Sequence, residues 1–367
     1  MTNIASLDIR VAIRVDSSVS IGSGHLMRCL TLAERLRRQE NAEVHFISRD
    51  LEGNLHDRIK KAGFLLHVLP RHSWNESLAG YAAWLTVPQE VDAEETKTFL
   101  QEIGKVDWLV VDSYALDKRW ERKMQSFADR IFVIDDLANR EHDCDVLLDQ
   151  NFYLDKEHRY IGFVPDTCKL LLGPQHALLR EEFYEARAHL CKRNGKIKRI
   201  LVFYGGSDMT NETLKAVNAL SIWHGMHPGA TVDVIVGASN SHRQEIKAFC
   251  NSLETREWME YHCQVDNMAE FMARADLALG AGGSTTWERC FLELPSIVTS
   301  VAENQKKIAE DCAAAGYITY LGCAETVTKA QIVSALDAAT KERLSEQTEC
   351  MRDIFEDGAA VYDSLFA

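Results

Sequence analysis

The chain has 367 residues, 46% of them apolar and 26% charged, with a formal net charge of −14. That length suits two domains of common size rather than one small core, and the acidic balance argues against a general nucleic-acid or anionic-membrane binder. It leaves room for a local pocket that takes a small phosphorylated ligand. No apolar run approaches ~20 residues, so no transmembrane helix is expected. The opening Met-Thr-Asn-Ile-Ala-Ser-Leu-Asp lacks the basic and apolar regions of a signal peptide. The 10 cysteines are scattered singly, with no Cys-x-x-Cys pair. This reads as the reduced thiols of a cytoplasmic protein rather than a disulfide frame or a zinc site.

Residues 9–15 alternate or run apolar and make a convincing first strand. A loop follows, Asp16 to His25, containing Gly22 and Gly24. Leu26, Cys29, Leu30, Ala33 and Leu36 then mark an amphipathic helix. His25 and Arg28, three apart at its start, share a face and point towards the loop. Further strands are expected at 43–48, 64–69, 108–112, 131–135 and 146–148, with helices near 54–62, 93–104 and 118–128. Alternation at this spacing predicts a parallel sheet covered on both faces. Residues 149–180 read as connecting chain, broken by Gly162, Pro165, Gly173 and Pro174.

After a charged helix at about 177–192 and a polar linker to Lys198, the alternation restarts. Strands are expected at 200–204, 231–236, 258–261, 277–279, 296–299 and 318–320. Helices are expected near 210–223, 242–252, 267–274, 284–293 and 303–315, with a last helical stretch over 328–365. The fold class is therefore α/β, with two doubly wound Rossmann-like domains facing each other across a cleft. The expected boundaries are 1–176 for the first domain and 177–198 for a connecting helix and linker. The second domain spans 199–340, and a C-terminal helix at 341–367 packs back on the first.

The stretch Gly280-Ala-Gly282-Gly283-Ser284-Thr285-Thr-Trp-Glu288 joins an apolar strand to an amphipathic helix. Its glycines let backbone approach a ligand, and Ser284 or Thr285 can cap the helix start. A helix N-terminus presents unpaired N–H groups and partial positive charge, which suits a phosphate. Glu288, one turn on, is placed to grip ribose hydroxyls. The plainer reading is a tight turn with a surface glutamate. Gly22-Ser-Gly24-His25 is not a dinucleotide fingerprint, because the third glycine is absent and Ser48-Arg49, not an acid, ends the next strand. His25 is a candidate proton acceptor, kept neutral by a helix start; the alternative is a capping or packing role. Asp143-Cys-Asp145 looks like a metal motif but reads as a surface turn, and Asp135-Asp136 end a strand. The histidines show no ligand spacing, Gly-x-Ser-x-Gly is missing, and the tryptophans are scattered as packing residues.

With both glycine loops in view, the chain resembles the metal-independent nucleotide-sugar hydrolases of pseudaminic acid biosynthesis. Arg14 to Leu30 matches their Arg-x-Asp-x-Ser…Ile-Gly-x-Gly-His-x-x-Arg-Cys-Leu pattern. The C-terminal half is similar to the glycosyltransferase that adds N-acetylglucosamine to the undecaprenyl-linked peptidoglycan precursor. The matching pieces there are Tyr204-Gly205-Gly-Ser207, the turn at Gly280–Thr285 with Glu288, Leu294-Pro295 and Glu303-Asn304-Gln305.

The resemblance implies a glycosyltransferase-B architecture and hydrolysis of a UDP-2,4-diacetamido-2,4,6-trideoxy sugar without metal or cofactor. It makes His25 the general base, Tyr114 an orienting group and Asn304 a sugar-side residue. It assigns substrate binding to Gly22, Gly24, Arg28, Arg180, Gly205, Gly282, Gly283, Ser284, Thr285, Glu288 and Gln305. Uracil is expected at Val265 to Met268. The expected partner is the UDP-sugar, with no nucleic acid and no membrane insertion, and a monomer is reasonable. A glycosyltransferase of the same fold is the alternative.

Overall fold

The structure, a computed structural model, describes residues 9–73, 77–355 and 366. The chain forms two compact units, the first before about residue 178 and joined by Phe366, the second after residue 178, with a short exchange at Phe152–Leu154.

The first unit is built on a seven-stranded parallel sheet. Its strands are β1 (Arg10–Val15), β2 (Glu43–Arg49), β3 (Leu65–Leu69), β4 (Val106–Asp112), β5 (Ala128–Ile134), β6 (Val146–Asp149) and β7 (Lys169–Leu172), in the order β3-β2-β1-β4-β5-β6-β7. Successive side chains of a strand point to opposite faces, and β1 shows the consequence. Val11, Ile13 and Val15 join one apolar cluster with Leu26, Cys29, Leu30, Ala33 and Leu36 of the helix Gly24–Gln39. Ala12 joins the other cluster with Ile47, Leu109, Val111 and Trp120. The central strands are thus buried on both sides, as in parallel sheets generally, while Leu65 and Val68 of the edge strand β3 stay exposed. Phe366 packs into the first cluster, its ring 4.9 Å from Trp108 and 5.7 Å from Phe132.

The second unit carries six parallel strands: β8 (Arg199–Phe203), β9 (Thr231–Val236), β10 (Met259–Cys263), β11 (Leu277–Ala281), β12 (Ser296–Ser300) and β13 (Thr319–Cys323). Their order is β10-β9-β8-β11-β12-β13. Both sheets therefore follow the Rossmann order 3-2-1-4-5-6. Such sheets bind ligands outside the strand C-terminal ends, where the direction of winding reverses. In the first sheet that switch point lies between β1 and β4, and in the second between β8 and β11.

Three differences from the sequence reading stand out. β7 lies in the stretch read as connecting chain; with four residues it is too short to show a period and is defined by pairing with β6. The helix expected as a connector, Glu181–Ala188, belongs to the second unit, where Phe183 is fully buried. Arg193 after it donates to the carbonyls of Met272, Ala275, Leu292 and Glu293. The expected last helix is two helices of the second unit, Lys329–Asp337 and Lys341–Arg352, each started by a threonine cap at Thr328 and Thr340. The rest of that expected helix, 356–365 and 367, lies outside the described residues.

Candidate active site

At the first switch point, Val15 of β1 pairs with Asp112 of β4. The chain leaves β1 through a loop fixed by its own polar groups. Arg14 donates to Asp16 at 2.6 Å and to Asp92 at 2.6 Å, and Asp16 accepts from the Arg49 N–H at 2.7 Å. The first part of the Arg-x-Asp-x-Ser pattern is therefore a buried brace, with Arg14 wholly inaccessible. Gly22 sits at φ +80°, where glycine is favoured, and its N–H donates to Ser18 O at 2.9 Å. Among the described residues, nothing lies within 4 Å of where a Cβ would stand on Gly22 or Gly24.

The helix that follows aims His25 and Arg28 at Asp112. His25 Nδ1 lies 2.6 Å from Asp112 Oδ1, while Arg28 Nε and Nη2 reach the two oxygens of that carboxylate at 2.6 Å each. Burial alone would raise the Asp112 carboxyl, but Arg28 and then His25 hold it well below the usual carboxylate range. Burial likewise works against the Arg28 charge, yet Asp112 and Asp136 outweigh it and its pKa is raised. Arg28 Nη2 also stands 3.1 Å from His25 Nδ1. The shorter contact to an ionised carboxylate assigns the proton to Nδ1, leaving Nε2 with the lone pair.

Tyr114, two residues past Asp112, packs edge-on against His25 with ring centroids 4.6 Å apart, and its hydroxyl donates to Asp136. Burial first, then Asp136, pushes the phenol well above its ordinary range, so it stays protonated. Asp136 also accepts from Arg28 Nη1 at 3.2 Å. Of the Asp135-Asp136 pair, Asp136 thus joins the His25 cluster, whereas Asp135 is fully buried and held by Arg140 at 2.7 Å. Asp143 and Asp145 are structural: Asp143 pairs with Arg122, and Asp145 accepts from the Ile131 N–H.

At the second switch point two glycine turns meet. Gly205, after β8, has φ +94°, and no described residue lies within 4 Å of where its Cβ would stand. Gly280, in β11, is required by contact: a Cβ there would lie 2.6 Å from Phe203 O and 2.7 Å from Arg289 Nη1. The Gln305 side chain lies over Gly282 and Gly283, 3.5 Å from where each Cβ would be, and Gln305 accepts from the Val301 N–H. Asn304 is exposed beside it at the start of the helix Glu303–Ala314.

The expected cap is absent. Ser284 has φ −55° and ψ −27° and forms no side-chain cap hydrogen bond. A capping residue takes extended backbone to turn its oxygen inward, and Ser284 is already helical. Thr285 Oγ1 instead accepts from Arg289 Nη1 at 3.3 Å. The helix Thr285–Phe291 is short, and the N–H groups of Thr286 and Trp287 already turn back to Gly283 O and Ser284 O.

Arg289 was not anticipated. It is buried, donates to Ala281 O at 2.8 Å and Thr286 Oγ1 at 3.0 Å, and its Nε has no partner among the described residues. Burial pulls its pKa below the ordinary arginine value. Glu288 faces Arg180, Nη2 to Oε1 3.4 Å, and Arg180 also pairs with Glu182 at 2.5 Å. Burial raises the Glu288 carboxyl, with Arg180 opposing. Val265 is partly exposed, and Met268 is buried as the first residue of the helix Met268–Arg274. Asp233, Glu260 and His262 bring ligand atoms within 4.8 Å of one another, but Asp233 is already bridged by Arg199 and Arg274.

Residues 200–361 match the glycosyltransferase family 28 C-terminal domain. Among solved structures, MurG of Acinetobacter baumannii aligns over 95% of this chain and 98% of its own, with TM-score 0.59 at 11% identity. The fold is thus the glycosyltransferase-B type, with two Rossmann-like domains. At the level of sequence, the chain is 26% identical over 318 residues to the UDP-2,4-diacetamido-2,4,6-trideoxy-beta-L-altropyranose hydrolase of Campylobacter jejuni, covering 84% of this chain and 98% of that one. It is 23% identical over 316 residues to the uncharacterized protein MJ1062 of Methanocaldococcus jannaschii, covering 83% of this chain but 58% of that protein.

Proposed function

We propose that the protein hydrolyses UDP-2,4-diacetamido-2,4,6-trideoxy-β-L-altropyranose to UDP and the free sugar, with inversion at C1. The observation that carries this reading is the Asp112–His25 pair, which fixes a proton on Nδ1 and leaves Nε2 as a base. Water attacks C1, Nε2 takes its proton, and the C1–O bond breaks with its electron pair leaving on UDP. The imidazolium so formed is neutralised by Asp112, the logic by which a buried aspartate supports a catalytic histidine. General-base catalysis of this kind contributes roughly 10²–10⁴-fold.

In the second unit, the backbone of Gly282 to Thr285 receives the charge growing on the diphosphate, with Gly205 and Gln305 beside it. Glu288 takes the ribose hydroxyls, Arg180 orients that carboxylate, Asn304 contacts the sugar, and Val265 to Met268 hold the base. The chemistry asks for no metal, because fixed N–H dipoles and a good leaving group suffice. The sequence likeness to the Campylobacter hydrolase supports the substrate class.

A UDP-sugar-dependent glycosyltransferase is the second reading, favoured by the family 28 match over residues 200–361. The two separate on one assay. Purified protein is incubated with the UDP-sugar and EDTA, without an acceptor, and UDP release is followed. Release that His25→Asn abolishes while UDP still binds supports hydrolysis; release that requires a lipid or sugar acceptor overturns it in favour of transfer.

A further inference from the structure

Beside His25 stands a group of aromatic rings that the mechanism above does not use. Residues Gly80–Leu85 form a 3₁₀ turn, entered through Gly80 at φ +58° and closed by Thr86 at φ +62°. In such a turn, side chains three apart lie over one another, so Tyr81 and Trp84 share one face. Ala83 and Leu85 anchor the segment in the core, at 8% and 1% exposure. Tyr81 stays 36% exposed and Trp84 partly so.

Trp84 stacks on Tyr114 with centroids 5.6 Å apart and meets His25 edge-on at 5.9 Å. Tyr81 meets Trp84 at 4.9 Å and Tyr114 at 5.0 Å, both edge-on. Because the Tyr114 hydroxyl is committed to Asp136, its ring is what packs against the imidazole. Tyr114 is buried at 8% exposure, but Tyr81 and Trp84 keep aromatic surface in water next to the base, which a purely packing role does not call for, since burying that surface is what stabilises a core.

We infer that Tyr81 and Trp84, backed by the buried ring of Tyr114, form an aromatic subsite beside His25 that takes the apolar C–H and methyl face of a 6-deoxy, N-acetylated pyranose. This rests on the sugar-nucleotide reading above and extends it to the residues that choose the sugar. A pyranose ring offers its C–H bonds to an aromatic face, and a C5 methyl or an acetyl methyl extends that apolar surface. A C6 hydroxyl carries its water to the same place and loses hydrogen bonds there. Discrimination by one such group in an apolar pocket amounts to roughly 10–200-fold.

The test compares UDP-2,4-diacetamido-2,4,6-trideoxy-β-L-altropyranose with its 6-hydroxy counterpart as substrates, using wild type, Trp84→Phe, Trp84→Ala and Tyr81→Ala, with UDP as competitive inhibitor. Wild type should favour the 6-deoxy substrate in KM by about tenfold or more. Trp84→Ala and Tyr81→Ala should raise that KM by about tenfold and erase the preference, with the UDP inhibition constant unchanged. Trp84→Phe, which keeps a ring, should restore most of it. Binding of the 6-deoxy substrate, beyond that of UDP alone, should change tryptophan emission in wild type and not in Trp84→Phe.

Tyr81 is exposed, so its truncation reports even if Trp84→Ala does not fold. Folded variants that keep both KM and preference overturn the aromatic subsite while leaving the hydrolase intact. A wild type that neither binds UDP nor releases it from either substrate overturns the sugar-nucleotide reading first, and this inference with it.

Discussion

His25 Nδ1 and Asp112 Oδ1 are 2.6 Å apart although 87 residues separate them in the chain. The parallel pairing of β1 with β4 brings them together, setting Asp112 level with the end of β1 just before the loop that leads into the helix carrying His25. Arg28 closes the arrangement by gripping both carboxylate oxygens. The result is an imidazole with one nitrogen assigned to a structural hydrogen bond and the other to chemistry.

Asp112→Asn tests that assignment. The amide keeps the shape but no longer holds the proton on Nδ1 or neutralises an imidazolium. UDP release should fall by roughly 10²–10⁴-fold in kcat, with KM little changed. Asp112→Ala should also destabilise the fold by about 3–5 kcal/mol, because it leaves Arg28 buried with its main partner gone. The Asp112 pKa is depressed, so its stabilising effect holds above the ordinary aspartate range and is lost as pH falls through the folded value. Kinetics and acid denaturation of the two variants, side by side, check both parts.

Glu288 is the group on which nucleotide recognition should turn. Glu288→Gln removes the acceptor charge while keeping size, and should weaken UDP binding about tenfold or more in calorimetry, with uridine affected equally. An unaltered UDP affinity would remove the ribose role. Burial raises this carboxyl, so wild-type UDP affinity should begin to fall with acidity at a higher pH than for an exposed glutamate.

Gly280 is held by its neighbours rather than by its backbone angle. In Gly280→Ala the new methyl meets Phe203 O and Arg289 Nη1 at under 3 Å. Neither the strand carbonyl nor the buried guanidinium is free to retreat. A loss of about 1–3 kcal/mol is expected, measured as a shift in the urea midpoint. UDP affinity should fall as well, because Arg289 braces the same turn through Ala281 O and Thr286 Oγ1.

Asp149 supplies a pH-dependent stability. Burial first, then Asp136, pushes its carboxyl up to about 8, from the ordinary 3.8. A raised acid is stabilising while protonated. Its contribution is therefore complete below about 3.8 and is lost as pH rises through about 8. Half-buried histidines such as His176, lowered to about 4 by burial, act in the opposite sense on the acid side. The informative quantity is thus the difference between wild type and Asp149→Asn. Asparagine does not ionise, so the variant's melting temperature should gain on wild type between about pH 5 and about pH 9. The slope should reach at most ~1.4 kcal/mol per pH unit. A constant difference across that range would show that Asp149 does not titrate there.

The amino-acid sequence by itself determined the repeated strand–glycine turn–helix units, the two-domain α/β class and the positions of His25, Arg28, Gly280 and Glu288. Those features follow from periodicity and from glycine and proline placement, which depend on neighbours along the chain. It did not reveal β7, whose four residues carry no period, nor the absent cap at Ser284, which depends on how the backbone enters the helix. Tertiary structure alone decided that Asp112 orients His25, that Asp136 takes the Tyr114 hydroxyl, that Trp84 stands beside the imidazole, and that Arg289 underlies the glycine turn. Most of these contacts join residues far apart in sequence. They exist because the sheet places β4 against β1 and β11 against β8, an order set by how crossover helices pack on a twisted sheet and invisible in hydrophobic pattern alone.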